Sequence, residues 1–302
     1  MRLVLFGYSS FVGRAVISYY EENTDTELVR IGRNGGGDNV IKFEVSDSEK
    51  VLKAEIDKIL NLVAPDRDTI ILNLISLGSP DYCELNPAAS WQTNHNLPVT
   101  LYDALAEREF GKFIQFSSNG VYAGDNPPYS ETSYCAPVNI YGRHKLAADE
   151  YLLKQNDTRI LIVRPTTMYG VKPEGGRDNP VGMIIQNILS GKSVKLVNDL
   201  KVNLLFVGDL CEYLDRLIKK DASGLFNIAG NQILSRYDIG VVVASVLSCD
   251  TSLMTPCSMA DFQAVAKRPL DTTFSTSLLK KVTGFEATSL EKVLELHDYR
   301  KF

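Results

Sequence analysis

The feature that most constrains this chain is an alternation. Through the first two-thirds of the sequence, short β-branched runs give way repeatedly to segments of helical period. Strands are expected at Leu3–Phe6, Leu28–Ile31, Val40–Phe43, Thr69–Leu74, Phe113–Phe116 and Ile160–Val163, with helical segments at residues 12–22, 47–63, 88–108 and 139–154 between them. This is the pattern of a parallel sheet covered by helices on both faces. The reading is therefore α/β, a Rossmann-type doubly wound parallel sheet with a smaller C-terminal lobe. Residues 1–166 form the sheet domain, with 202–222 returning to it, and 167–302 form most of the lobe. After Arg164-Pro165 the stretch from Gly170 to Gly182 holds four glycines and two prolines and reads as a long loop. A strand at Leu204–Val207, a helix from Asp209, a strand at Leu225–Ile228 and three later helices complete the chain.

The first strand runs into Gly7-Tyr8-Ser9-Ser10-Phe11-Val12-Gly13, which opens a helix. A glycine turn in that place lets backbone N–H groups at a helix N-terminus meet a pyrophosphate. Ser10 stands at the middle glycine position: its hydroxyl can hydrogen-bond a phosphate, and its Cβ limits how closely the backbone approaches. The second strand ends in Ile31-Gly32-Arg33-Asn34, where an NAD-binding unit would carry a carboxylate for the ribose 2′-hydroxyl. Gly32 removes the carboxylate and Arg33 brings a cation, so a 2′-phosphate fits better, and NADPH is expected ahead of NADH.

Composition removes several classes of partner. With 32 basic and 37 acidic side chains the formal charge is −5, which gives neither nucleic acid nor an anionic membrane an electrostatic foothold. Apolar runs such as Ile239 to Leu247 fall short of the roughly 18 residues that span a bilayer, and the run ending at Gly7 is shorter than a secretory core. Cys83, Cys135, Cys211, Cys249 and Cys257 form no CxxC pair and read as reduced thiols of a cytoplasmic protein. His95, His144 and His297 show no ligand spacing, so no metal is expected. His144, between Arg143 and Lys145, is expected to be exposed, and His95 to be structural.

The most informative stretch is Ser117-Ser118-Asn119-Gly120 at the mouth of the fifth strand, followed by Tyr141-Gly142-Arg143-His144-Lys145. Four apart on a helix, Tyr141 and Lys145 share one face. An ammonium beside a phenol favours the phenolate, so Lys145 is expected to lower the Tyr141 pKa and suit it to proton transfer. Ser118 can donate a hydrogen bond to a substrate carbonyl.

Together these segments resemble the extended short-chain dehydrogenase/reductase superfamily, its NAD(P)-dependent epimerase/dehydratase group, and most of all the dTDP-4-dehydrorhamnose reductase branch. The likeness runs over essentially the whole chain. It includes Pro128-Tyr129-x-Glu131, Asn139-x-Tyr141-Gly142-x3-Lys145-Leu146, Arg164-Pro165 with Tyr169-Gly170, Val207-x-Asp209-Leu210, and Arg268-Pro269. The resemblance implies that Ser118, Tyr141 and Lys145 are catalytic. It implies that Gly7, Ser10, Gly13, Arg33, Glu44, Val45 and Asn73 line the cofactor together with Tyr141 and Lys145. It also places Ser118, Asn119, Asn179 and Arg268 against a nucleotide-sugar substrate, and it leaves a homodimer open. Many relatives carry a basic residue near the position of Val202, for which Arg268 and Lys195 are the substitutes considered.

Relatives that dehydrate a sugar carry Asp-Glu directly after the catalytic hydroxyl, where this chain has Asn119 and Gly120. Relatives that epimerise beside the ketone use a cysteine two residues beyond the serine and a histidine after the Arg-Pro strand. Here those places hold Gly120 and the histidine-free stretch Thr166 to Lys172. What remains is hydride chemistry at one carbon. The expectation is an NADPH-dependent reductase of a nucleotide-activated 4-keto sugar, with an NAD-retaining 4-epimerase and a non-catalytic nucleotide-binding subunit of the same fold as alternatives.

Overall fold

The computed structural model describes residues 1–33, 40–172 and 178–302. In chain order the elements are β1 (Arg2–Phe6), α1 (Phe11–Asn23), β2 (Glu27–Gly32), β3 (Val40–Lys42), α2 (Glu49–Val63), β4 (Thr69–Asn73), α3 (Pro80–Leu85), α4 (Pro87–Trp91), α5 (Leu97–Ala106), β5 (Lys112–Phe116), α6 (Ile140–Lys154) and β6 (Ile160–Pro165). Then come β7 (Met168–Tyr169), α7 (Pro180–Leu189), β8 (Val194–Val197), β9 (Val202–Phe206), α8 (Val207–Lys219), β10 (Gly224–Ile228), β11 (Gln232–Leu234), α9 (Arg236–Leu247), β12 (Met254–Cys257), α10 (Ser277–Thr283) and α11 (Leu290–Leu296).

Seven strands form one sheet in the order β10-β6-β5-β4-β1-β2-β3, and every pairing in it is parallel. Every residue of β4, β5 and β6 is buried. The reason is the helices on either side. Leu3, Leu5 and Leu72 point into a core shared with α1 and α8, while Val4, Phe6 and Ile71 point into one shared with α2 and α5. The chain reverses direction across the sheet between β1 and β4, so two loops splay apart at their carboxyl ends and open a crevice there. Among the described residues no helix is long and apolar enough to cross a membrane.

Two small sheets accompany the large one, β11-β9-β7 and β12-β8. A separate core of Tyr169, Ile184, Ile185, Leu204, Ile239 and Val243 joins α7 and α9 to them. The stretch 202–219 serves both regions: β9 pairs within the small sheet, whereas Leu210, Leu214 and Leu217 of α8 pack with α1 on the large one.

Two expectations are corrected. The helix expected over 88–108 is interrupted by a π turn at Gln92–Asn96, because Pro98 has no N–H to return to the Asn94 carbonyl. The loop expected through Gly182 ends at Asn179, whose side chain caps α7 by accepting from the Gly182 N–H, with Pro180 in the first turn.

Leu72 is fully buried in the middle of β4. Leu72→Ala should lower the unfolding free energy by about 2–5 kcal/mol, through lost transfer energy and the cavity left behind, measured by urea unfolding.

Candidate active site

At the carboxyl end of β1 the chain turns at Gly7, whose φ of +91° lies in the region that favours glycine. The helix α1 then crosses back over this turn at contact distance. A Cβ at Gly13 would stand 2.5 Å from both the Gly7 and Tyr8 carbonyl oxygens. Ser10 caps α1, its hydroxyl oxygen accepting from the Gly13 N–H at 3.0 Å, which leaves its own O–H free to donate outward. Beside the turn, Gly32 faces the Tyr8 ring so closely that a Cβ there would lie 3.0 Å from it. Any side chain at that position would require the Tyr8 ring to give way by a few tenths of an ångström.

Gly7, Ser10, Arg33, Glu44 and Val45 line one cleft of about 480 Å³, whose far wall is formed by Leu74 to Leu77. Arg33 is exposed at its rim, and Asn34, which follows it, lies outside the described residues. Gly13 lies behind the turn rather than on the cleft. Asn73 is fully buried, with its amide donating to Gln115 at 2.8 Å and its carbonyl oxygen accepting from the Ile75 N–H, so its carboxamide is committed inside the sheet.

The second half of the site is made where α6 meets the turn after β5. A Cβ at Gly142 would fall 2.1 Å from the Gly120 carbonyl oxygen, so the two backbones meet with no room for a side chain. Asn139 starts the helix there by accepting from the Gly142 N–H at 2.9 Å. The consequence is that Tyr141 lies over Gly120 and Ser118. Ser118 Oγ accepts from the Gly120 N–H at 3.0 Å and donates to Asn119 Oδ1 at 3.3 Å. Lys145, one turn along α6, donates to the Phe116 carbonyl at 2.8 Å.

Burial raises the Tyr141 pKa above its ordinary value, and the nearby hydroxyls of Ser118 and Ser76 pull the other way. This corrects the expectation that Lys145 lowers it. The ammonium is not among the main influences on the phenol, because it is held on the Phe116 carbonyl. Burial also pushes the Lys145 pKa down to about 8, against the pull of Asp149 and Cys83.

Two features escaped the sequence reading. Ser76 lines the cleft and approaches Tyr141, so it joins the glycine-turn half of the site to the Ser118 half. It is held by Asn94 of the π turn, whose Oδ1 accepts from Ser76 Oγ at 2.8 Å and from the Leu77 N–H at 3.1 Å. Nothing in the local sequence marks Ser76, although a helix interrupted by Pro98 is a readable sign of such a turn. Beneath the site, Asp149 accepts from Ser117 at 2.8 Å and Arg164 at 2.9 Å, and Arg164 also donates to the Tyr122 hydroxyl. Burial works against the Arg164 charge, but Asp149, Tyr122 and Cys135 together outweigh it and hold the guanidinium pKa above its ordinary value.

The remaining residues are placed as follows. Asn119 donates to Thr272 Oγ1 at 2.7 Å and ties the Ser118 turn to the segment after Arg268. Arg268 pairs with Asp81 at 2.9 Å and donates to the Ala266 carbonyl. Asn179 is committed to its cap and to the Gly170 carbonyl, and Lys195 is exposed on β8. His95 stacks on Trp91, as a structural residue would. His144 is half-buried with its Nδ1 2.9 Å from Ser90 Oγ, not exposed as expected.

Residues 1–297 match the family described as RmlD substrate binding domain. The chain belongs to this family. A probable low-salt glycan biosynthesis reductase, Agl14 of Haloferax volcanii, is 25% identical over 254 residues, 83% of this chain and 81% of that protein. The methionine adenosyltransferase 2 subunit beta of Rattus norvegicus is 24% identical over 287 residues, 92% and 81% of the two chains. Among solved structures, a dTDP-4-dehydrorhamnose reductase from Bacillus anthracis in complex with NADP superposes with a TM-score of 0.80 at 21% identity, covering 98% of this chain and 97% of that one. That likeness carries the fold.

Lys145 gives this site a pH signature. Its pKa is about 8 in the folded protein against an ordinary 10.5, so between those values the unfolded chain binds more protons and stability rises with pH. Lys145→Met should lose this increment, seen by comparing unfolding free energies of both proteins at pH 7.5 and 9.5.

Proposed function

We propose that this RmlD-family protein is an NADPH-dependent reductase of a nucleotide-activated 4-keto sugar. One observation carries the reading. Ser76 stands on the wall of the cleft that begins at Gly7 and Arg33, and it reaches the Tyr141 hydroxyl beside Ser118. A dinucleotide laid along that cleft therefore ends at a proton donor.

The residues fit such a cofactor. Gly7 and the cap at Ser10 present a backbone turn to a pyrophosphate, and Arg33 stands where a 2′-phosphate would lie. When bound, NADPH supplies the hydride. In the reductive direction the acid must begin protonated, and burial holds Tyr141 in that form. Tyr141 gives its proton to the carbonyl oxygen as charge develops there, and Ser118 donates a hydrogen bond to the same atom. Lys145, buried one helical turn away, supplies a cation for the ribose hydroxyls. Asn119 and Gly120 offer no base for a carbon adjacent to the ketone, so the chemistry stays at one carbon.

A second reading, a non-catalytic nucleotide-binding subunit, draws on the likeness to methionine adenosyltransferase 2 subunit beta. One experiment separates the two. With a 4-keto sugar nucleotide and NADPH deuterated on the transferred face, one deuterium should appear at the former carbonyl carbon for each cofactor oxidised. Tyr141→Phe should cut turnover by roughly 100-fold or more while leaving NADPH binding unchanged. No turnover in the wild type, or none lost in Tyr141→Phe, counts against the reductase. Interconversion of two 4-hydroxy sugars without net NADPH consumption would instead identify a 4-epimerase.

Cofactor choice follows from Gly32 and Arg33. The protein should bind NADPH more tightly than NADH, and Arg33→Ala should remove about 1.5–3 kcal/mol of that difference. Fluorescence titration of both cofactors against both proteins measures it, and equal affinities in the wild type would contradict it.

A further inference from the structure

The hydroxyl of Ser76 has its hydrogen-bond direction fixed by its surroundings. Ser76 is exposed to the cleft on the loop after β4, and it donates to Asn94 Oδ1 at 2.8 Å. The Asn94 carboxamide cannot turn over. Its Oδ1 also accepts from the Leu77 N–H at 3.1 Å, while its Nδ2 donates to the Leu77 carbonyl and to Ser90 Oγ, each at 3.2 Å. A flipped amide would set donor against donor at the Leu77 N–H and acceptor against acceptor at the Leu77 carbonyl. Asn94 is fully buried, so water could relieve neither clash. The Ser76 proton is therefore given to Asn94, and its oxygen keeps lone pairs for the neighbour on its other side.

That neighbour is Tyr141, whose phenol is hydrogen-bonded by the side chains of Ser118 and Ser76. In the free protein both hydroxyls donate elsewhere, Ser76 to Asn94 and Ser118 to Asn119 Oδ1, so each offers the phenolic O–H an acceptor. Once the phenol has given its proton away the need reverses, because a phenolate oxygen calls for donors. The groups packed around it are mostly committed. On α6, Lys145 is held on the Phe116 carbonyl and Asp149 carries an acid paired with Arg164. On α3, Cys83 gives its S–H to the Leu77 carbonyl, and Glu84 accepts from the Ile140 N–H. At the turn after β5, Ser118 goes with the substrate oxygen. Among the described residues, Ser76 is the hydroxyl that remains. Turning its O–H away leaves Asn94 Oδ1 with the Leu77 N–H, so no buried acceptor is orphaned.

We propose that Ser76 is a further catalytic residue, a hydroxyl that accepts from Tyr141 before proton transfer and donates to its phenolate afterwards. This rests on the reductase reading above and adds to it the group that answers the negative charge left on the protein. In that step the Tyr141 O–H bond breaks, its electron pair stays on the phenolate oxygen, and the proton forms the new O–H bond on the former carbonyl oxygen. The carbonyl carbon receives the cofactor's hydride. The Ser76 O–H bond stays intact, and only its hydrogen bond is redirected from Asn94 to the phenolate. A donor already placed where charge develops stabilises the transition state.

The test compares wild type, Ser76→Ala and Ser76→Thr, each prepared both as the natural chain and with 3-fluorotyrosine at position 141. Fluorine NMR follows the ionisation of that one phenol as the pH is raised, with no substrate present. Ser76→Ala should move the midpoint up by about 0.5–1 pH unit, as for one hydrogen bond exchanged for water, and Ser76→Thr, which keeps the hydroxyl, should restore it. With a 4-keto sugar nucleotide and NADPH, Ser76→Ala should lower kcat by about 3- to 10-fold, leaving KM for the sugar nucleotide and NADPH affinity unchanged. A serine that only braced the loop through Asn94 would give a lower melting temperature and weaker NADPH binding in Ser76→Ala with an unmoved midpoint, and that result would overturn the assignment. A raised midpoint in a protein that reduces no 4-keto sugar nucleotide would keep Ser76 as the donor to the phenolate and remove the reductase reading. Reduction by Ser76→Ala at the wild-type kcat would overturn the assignment and leave the reductase reading standing.

Discussion

The contact between Gly142 and Gly120 sets the geometry of everything around it. Two backbones from elements 22 residues apart in sequence meet where no Cβ could fit, and that closeness brings the first turn of α6 over the end of β5. Tyr141 reaches Ser118 because of it. The same helix is tied down a turn later by Lys145 on the Phe116 carbonyl, and a turn after that by Asp149 on Ser117 and Arg164. Three successive turns of α6 thus make polar contacts with β5, β6 or the turn beyond. Side chains held by packing and by a second layer of hydrogen bonds keep a reacting geometry that loops alone would not.

Burial, more than charge pairing, fixes the protonation states at this site. Tyr141 is held neutral by loss of water, and Lys145 is brought toward neutrality by the same cause. These two shifts run against the simple picture of an ammonium ionising its neighbouring phenol. On the proposed reading they agree with a site that must begin its cycle with a proton to give. The Asp149–Arg164 pair, both members almost wholly buried, keeps a compensated charge under Lys145 and so limits how far its pKa falls.

Much of this was legible in the sequence. The apolar runs at Leu3–Phe6, Thr69–Leu74, Phe113–Phe116 and Ile160–Val163 became strands because a strand buried on both faces carries its signal in every residue. The short strands β7, β8, β11 and β12, two to four residues each, carry too few residues for any period, and only tertiary packing defines them. At the site, the spacing of Tyr141 and Lys145 was readable since one helix delivers both. Ser76 was not, because it depends on β4 lying beside β5 and on a π turn that holds its loop through Asn94. Asn73 and Asn179 are each held by contacts within the protein, Asn73 by Gln115 and the Ile75 N–H, Asn179 by the Gly170 carbonyl and the Gly182 N–H.

A net charge of −5 opposes the approach of ligands as anionic as the proposed dinucleotide phosphate and sugar nucleotide, and the resolution lies in scale. Beyond roughly 10 Å of water and salt the whole-protein charge is screened, so recognition depends on the few cations within a hydrogen bond of each phosphate. On the proposed reading these are distributed by task. At the glycine turn, backbone N–H groups and the Ser10 hydroxyl meet a pyrophosphate, with Arg33 exposed at the rim where a 2′-phosphate can arrive from solvent. At the other end the cation is Lys145, buried on the Phe116 carbonyl with its pKa drawn down to about 8. An exposed cation gains little from each contact but needs no preparation, whereas the desolvation of a buried one has already been met by the folded protein before a ligand arrives.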